Sequence, residues 1–327
     1  MADSSNRTLQ LLVGTTLVLA FCVVVLGAYT RLVDAGLGCP DWPGCYGHLT
    51  VPDTEDERQR AEELYPDFPI DEAKAWTEMV HRYLATLLGI MVIAIVAVAW
   101  FKRQSLRFPL ALLALVVLQG AFGAWTVTLK LWPQVVTAHL LGGFATLALL
   151  WWYLLKLDPF PLPQVAFKVR SHIHVLLVLV VLQVALGGWT SSNYAALACP
   201  DFPLCHGELF PDMDFASGFN VMQDIGPNYL GGELSNEARI AIQTTHRWGA
   251  YVVMVVGIAL LFRLELGFRV LLGTALVVQF GLGIANVLLS LPLFVAVCHN
   301  AVAALLLLAL LTIMFSSRAP PVPQEAI

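Results

Sequence analysis

"EMVHRYLATLLGIMVIAIVAVAWF", Glu78 to Phe101, decides the fold. Beyond Glu78, His81 and Arg82 it is almost wholly apolar. It is long enough to cross a bilayer, which takes about 20 residues as a helix. A helix is the element that fits, because it satisfies its own backbone hydrogen bonds in lipid. Charged groups beside hydrocarbon are costly and mark functional candidates. So the stretch predicts a spanning helix with Glu78, His81 and Arg82 at its mouth.

The rest of the chain follows this pattern. The 327 residues are 58% hydrophobic and 13% charged. That is about half the charged share of a soluble domain. Eight apolar runs predict spans over roughly 9–31, 78–101, 107–129, 134–156, 172–193, 241–263, 268–290 and 293–315. The first run is long, continues to Arg31 and lacks a small-residue cleavage pattern, so it reads as a retained helix and not a signal peptide. The fold class expected is an all-α integral membrane protein with eight transmembrane helices. Lys and Arg cluster in the short connections, at Arg7, Lys102, Arg103, Arg107, Lys156, Lys168, Arg170, Arg263, Arg269 and Arg318. That bias puts both termini in the cytoplasm and the long loops 32–77 and 194–240 outside. The net charge of −5, without a basic patch, argues against nucleic acid.

The chain is written twice. "CPDWPGCYG" begins at Cys39 and "CPDFPLCHG" at Cys199, 160 residues later, with six of nine positions identical. Gln119 and Gln279, His139 and His299, Gly27 and Gly187, and Thr30 and Thr190 share that offset. His81 and His246 are 165 apart, so the second loop is about five residues longer. The expected organisation is a four-helix unit over 1–160, a cytoplasmic linker over 161–170 and a second unit over 171–327. Pro159, Pro161 and Pro163 keep the linker from being helix. An even number of helices per unit makes this a parallel repeat about an axis along the membrane normal.

Of eight histidines, four recur at matched places: His81, His139, His246 and His299. Each is expected within roughly 10 Å of the outer end of its helix, at 1.5 Å rise per residue. Two inward histidines on facing helices of a bundle suit the axial positions of a heme. The bland alternative for each is a packed hydrogen bonder. The other histidines read as interfacial (His172, His174) or structural loop residues (His48, His206). Glu78 stands three residues before His81, on one helix face. Gln243 holds the same place before His246. One unit thus carries a carboxylate that the other lacks, which suggests chemistry in the first and a permanent cofactor in the second. The alternative for Glu78 is an interfacial acid favoured by the helix dipole. Glu-x-x-His also evokes a di-iron site, but that needs a second copy and two further glutamates. Arg82 and Arg247 are candidates to meet heme propionates, with snorkelling as the alternative.

Cys39 with Cys45, and Cys199 with Cys205, lie in outer loops where disulfides form. A five-residue, proline-bearing spacer makes each bridge plausible. Structural clips and a redox-active pair both remain open. Cys22 and Cys298 are expected as small buried hydrophobes inside helices.

"GLGCPDWPGCYG", "EMVHRYLATLLG", "TAHLLGG", "THRWGAYVVMVVG" and "VCHNAVAA" together resemble the heme A synthase family over essentially the whole chain. The resemblance implies a membrane oxidoreductase that converts the C8 methyl of heme O to the formyl group of heme A for assembly of terminal oxidases. It implies a bound heme b between His246 and His299, substrate heme O at His81 and His139, an essential Glu78, and a paired Cys39 and Cys45. Heme O is then the substrate partner, with heme O synthase, oxidase assembly factors and a second copy of the chain as candidate partners. A bacterial inner membrane is the expected location, since no Arg-rich, acid-poor segment precedes the first helix. The alternatives are a b-type membrane cytochrome exchanging electrons with quinone, a quinone-linked thiol oxidoreductase using the cysteines, and a heme carrier.

Overall fold

The computed structural model describes residues 2–157 and 161–317, with side chains from Arg7 onward. Pro159 and Arg318 lie outside the described residues. Among those residues the chain is helical, with no strand and two isolated bridges inside the cysteine loops. The elements are α1 Ala2–Leu32, α2 Glu55–Leu64, α3 Glu72–Phe101, α4 Arg107–Thr128, α5 Pro133–Lys156, α6 Arg170–Ser192, α7 Phe215–Gly218, α8 Asn236–Leu261, α9 Leu266–Leu288 and α10 Leu293–Ser316. Eight of them, all but α2 and α7, are long and apolar enough to cross a membrane. All eight predicted spans are therefore present.

Two helices begin earlier than their apolar runs. Asp71 caps α3 by accepting from Lys74 N, and Ser235 caps α8 by accepting from Ala238 N. Such caps satisfy backbone donors that hydrophobicity does not report. Consequently His81 and His246 lie nine and ten residues into their helices, about 14–15 Å from the N-terminus at 1.5 Å per residue. The expected 10 Å holds for His139 and His299, each six residues into its helix. Glu78 is likewise in the second turn, beyond the first-turn donors on which the dipole alternative rested.

α1 packs against α3 and α5, and α4 against α3 and α5; α8 packs against α6 and α9, and α10 against α6 and α9. Across the middle, α5 touches α6, α1 touches α10, and α5 touches α10. One apolar cluster joins α1, α3, α4 and α5 through Val13, Val92, Leu112 and Leu147. A second joins α6, α8 and α9 through Ile173, Leu260 and Leu272. α10 serves both, with Leu307 in the first and Leu310 in the second.

Local conformations recur at the 160-residue offset. Positive φ occurs at Asp34 and Tyr194 (53° and 55°), at Tyr46 and His206 (both 54°), and at Leu131 and Leu291 (both 60°). A bulky residue in that region is an outlier held by its surroundings. Here Leu131 N donates to Thr126 O and Leu291 N to Asn286 O, closing the same turn twice.

The long segments that follow α1 and α6 differ more. The first carries α2. The second reaches across the molecule: Trp132 Nε1 donates to Gln223 O at 3.1 Å, Gln134 Nε2 to Val221 O at 3.1 Å, and Tyr229 N to Lys130 O at 3.0 Å. It thereby covers the turn that leads into α5 and His139.

Candidate functional site

Each of the four repeated histidines sits against a glycine on a neighbouring helix. A methyl added at Gly27 of α1 would stand 2.9 Å from Cε1 of His81. The corresponding distances are 3.6 Å for Gly123 and His139, 3.3 Å for Gly187 and His246, and 3.2 Å for Gly283 and His299. Small residues let helices approach closely in a membrane, and here they make room for imidazoles. His81 and His139 stand on α3 and α5, and His246 and His299 on α8 and α10. The pairing is therefore within each four-helix group. All four residues are half-buried, and Nδ1 of His81, His139 and His299 is buried without a hydrogen-bond partner. Buried polar atoms rarely stay unpaired. Imidazoles paired across a bundle, three of them with an unpartnered Nδ1 and two in reach of a glutamine amide, could hold two hemes as axial ligands.

Glu78 is 4% exposed. Its Oε1 accepts from Arg82 Nη2 at 2.5 Å and its Oε2 from Cys39 N at 2.9 Å. The carboxylate is therefore fixed by one helical neighbour and by the first cysteine of the loop above. Gln243 occupies the matching position at 5% exposure, and its Oε1 has no partner. The asymmetry read from the sequence survives in three dimensions.

The arginines hold the cysteine loops. Arg82 donates to Asp41 O at 3.0 Å and Gly44 O at 2.5 Å. Arg247 donates to Asp201 O and Leu204 O, both at 2.8 Å, and to Cys199 O at 2.7 Å. Neither propionate contact nor snorkelling anticipates this use. Both disulfides are formed, with S–S distances of 2.07 Å for Cys39–Cys45 and 2.04 Å for Cys199–Cys205. All four cysteines are buried. Within each loop an aspartate closes the turn: Asp41 accepts from Tyr46 N and Gly47 N, and Asp201 from His206 N and Gly207 N. The Gly207 amide is the main reason the Asp201 carboxyl is held below its ordinary range.

The remaining candidates are peripheral. His48 faces Glu57 at 3.8 Å, and His206 Nε2 meets Ala198 O at 2.9 Å, both loop roles as expected. His174 bonds Arg170 O at the start of α6. Cys298 is half-buried, but Cys22 is exposed on α1 and so is not the buried hydrophobe expected. It lines a wholly apolar crevice with Phe21, Val25, Leu26, Tyr29 and Val297. The face it occupies is one that lipid would cover, which periodicity in an all-apolar helix does not distinguish from the core.

A family model described as cytochrome oxidase assembly protein matches residues 10–311. The chain belongs to this family. Among similar curated proteins, the heme A synthase of Shewanella oneidensis is 43% identical over 317 residues, covering 93% of this chain and 95% of that protein. The heme A synthase of Rhizorhabdus wittichii is 32% identical over 327 residues, covering 90% and 89%. That of Maricaulis maris is 29% identical over 336 residues, covering 94% and 95%. In this member of the cytochrome oxidase assembly protein family, sequence reasoning missed two site contacts besides the arginine clamps and Gln279, whose Nε2 lies 3.3 Å from His299 Nε2. One is the Cys39 amide on Glu78, a backbone group with no signature. The other is Gln183, whose Nε2 lies 3.1 Å from His246 Nδ1. Its signal was a break in the repeat, since residue 23 is valine.

Proposed function

We propose that this protein is a heme A synthase, an oxidoreductase that converts the C8 methyl of heme O to a formyl group. The observation that carries the reading is the pair of histidine sites, of which one alone has a buried carboxylate. In this reading the first unit, residues 1–160, takes heme O between His81 and His139. The second, residues 171–327, keeps heme b between His246 and His299, joined to the first by the linker 161–170. Methyl to formyl removes four electrons, and a resident heme b supplies one-electron transfer. Glu78, held by Arg82 and the Cys39 amide, accepts a proton or stabilises positive charge developing near the methyl. Arg82 and Arg247 hold the loops that roof the two sites.

The units form a parallel repeat about an axis along the membrane normal. Contacts between equivalent positions support that axis: Arg31 Nη2 donates to Ser191 O at 2.6 Å, and Tyr194 OH to Asp34 at 2.6 Å. Residues 31 and 191, and 34 and 194, are the same positions of the two copies, and only positions beside a twofold axis meet their own equivalents. The lysine and arginine bias supports cytoplasmic termini and sites near the outer face, in what this reading takes to be a bacterial inner membrane. Burial of both disulfides favours structural clips over a thiol relay, because exchange requires access to sulfur. The product would go to terminal oxidase assembly, with heme O synthase as the source of substrate.

Co-expression with a heme O source and analysis of extracted hemes tests the reading. Heme A should accumulate; heme O left unchanged would overturn it. His246→Ala and His299→Ala should each remove the low-spin b-type spectrum of the purified protein.

A further inference from the structure

The two histidine sites differ at a second place besides Glu78 and Gln243. Gln183 of α6 reaches His246 with its amide: Nε2 lies 3.1 Å from Nδ1 and 2.8 Å from the backbone oxygen of the same residue. Its Oε1 is buried and has no partner. The side chain fits because residue 249, one helical turn beyond His246, is glycine; a Cβ there would run into the Gln183 amide and within 3.3 Å of Leu186. In the first unit the position equivalent to Gln183 is Val23, and the position equivalent to Gly249 is Leu84. The polar-plus-small pair of one unit is an apolar-plus-large pair in the other. His81 Nδ1 accordingly has no hydrogen-bond partner. Other positions around the rings are shared, including Gly27 with Gly187 and Gln119 with Gln279, so the change is local and compensated in volume.

We propose that Gln183 is a positioning residue that fixes the His246 ring and makes the second site retentive, while Val23 and Leu84 leave His81 without such a partner and make the first site exchangeable. This rests on the reading of His246 as a heme ligand. A histidine that binds a metal through one nitrogen is oriented by the hydrogen bond at the other, and removing that outer partner typically weakens binding about 10–100-fold. An amide offers both a donor and an acceptor, so Gln183 can meet either tautomer. When Nε2 is the ligand, Nδ1 carries the proton, and the Gln183 amide turns so that its unpartnered Oε1 accepts from Nδ1, giving up the bond of its Nε2 to His246 O. A cofactor must stay through many turnovers, whereas a substrate heme must enter and its product leave. The asymmetry gives the two needs different ring mobility within one duplicated scaffold.

The test uses the purified full-length protein loaded with heme and an excess of apomyoglobin as the heme acceptor. Gln183→Val/Gly249→Leu copies the packing of the first unit and keeps the volume filled. It should release the low-spin b-type heme about 10–100-fold faster than the unchanged protein, with shifted low-spin g-values and midpoint potential. Gln183→Val alone should move the same way, and Val23→Gln/Leu84→Gly should slow release from the first site. Unchanged release, g-values and potential in the Gln183 variants would overturn the proposal while leaving the heme assignment standing. Retention of the b-type spectrum in His246→Ala would remove the ligand assignment, and the proposal with it.

Discussion

Glu78 and Gln243 are a natural substitution experiment within one chain. Each is buried in the second turn of its helix, three residues before a histidine. Only Glu78 is a carboxylate, and only it ties the helix to the cysteine loop, through Cys39 N and Arg82. Glu78→Gln, which copies the second unit, should keep the bound b-type spectrum and lose heme O conversion by about 100-fold or more, the ordinary scale of a positioned acid or base. Extracted-heme analysis checks it, and normal conversion would remove Glu78 from the chemistry. Gly27 carries a different kind of constraint. Gly27→Ala sets a methyl 2.9 Å from His81 Cε1, closer than carbon atoms pack, so the ring must turn. Heme O binding at the first site should weaken while the b-type spectrum is unchanged; loss of the latter would show that the two sites are not independent.

At the scale of elements, α2 is where the segments that follow α1 and α6 diverge most. It begins with a capping box: Glu57 N donates to Thr54 Oγ1, and the Glu57 carboxylate accepts from Asp53 N and Thr54 N. Ala61 packs the helix into a cluster with Cys39, Cys45, Tyr46 and Met79, directly above α3. The Asp53 amide is the main reason the Glu57 carboxyl falls from 4.5 to about 2. A depressed carboxyl stabilises the fold above its unfolded value and loses that contribution as pH falls through the folded one. Amide-exchange protection over residues 55–64 should therefore be flat from neutral pH to 4.5 and decline between 4.5 and about 2. Protection that stays constant through that window would mean the box contributes nothing. The caps of α3 and α8 matter in another way, since Asp71 and Ser235 start both helices before their apolar runs and set Glu78 and His246 six and ten residues into them.

For the whole molecule, the join between the ends of α1 and α6 is polar. Arg31 donates to Ser191 O, pairs with Asp34 at 3.2 Å and lies 4.2 Å over the Tyr194 ring. Arg31→Ala removes all three, and a hydrogen bond to a charged group contributes about 1.5–3 kcal/mol. The thermal midpoint of the full chain in detergent should fall, with the b-type spectrum unchanged below it; an unaltered midpoint would show that the α5–α6, α1–α10 and α5–α10 contacts hold the two helix groups without Arg31. The sequence by itself determined the eight spans, because hydrocarbon imposes length and hydrophobicity on any helix that crosses it. It also determined the duplication, the histidine positions and the Glu78–Gln243 difference, because internal copies can be aligned without coordinates. Tertiary structure alone decided what Glu78 and Arg82 touch, that Arg247 clamps its loop, that Cys22 faces outward, and that Gln183 meets His246. Apart from the Glu78–Arg82 pair on one helix, those contacts join residues 38 to 63 positions apart or depend on which side of an all-apolar helix faces protein. Side-chain periodicity is silent there, since lipid and protein interior are equally apolar surroundings.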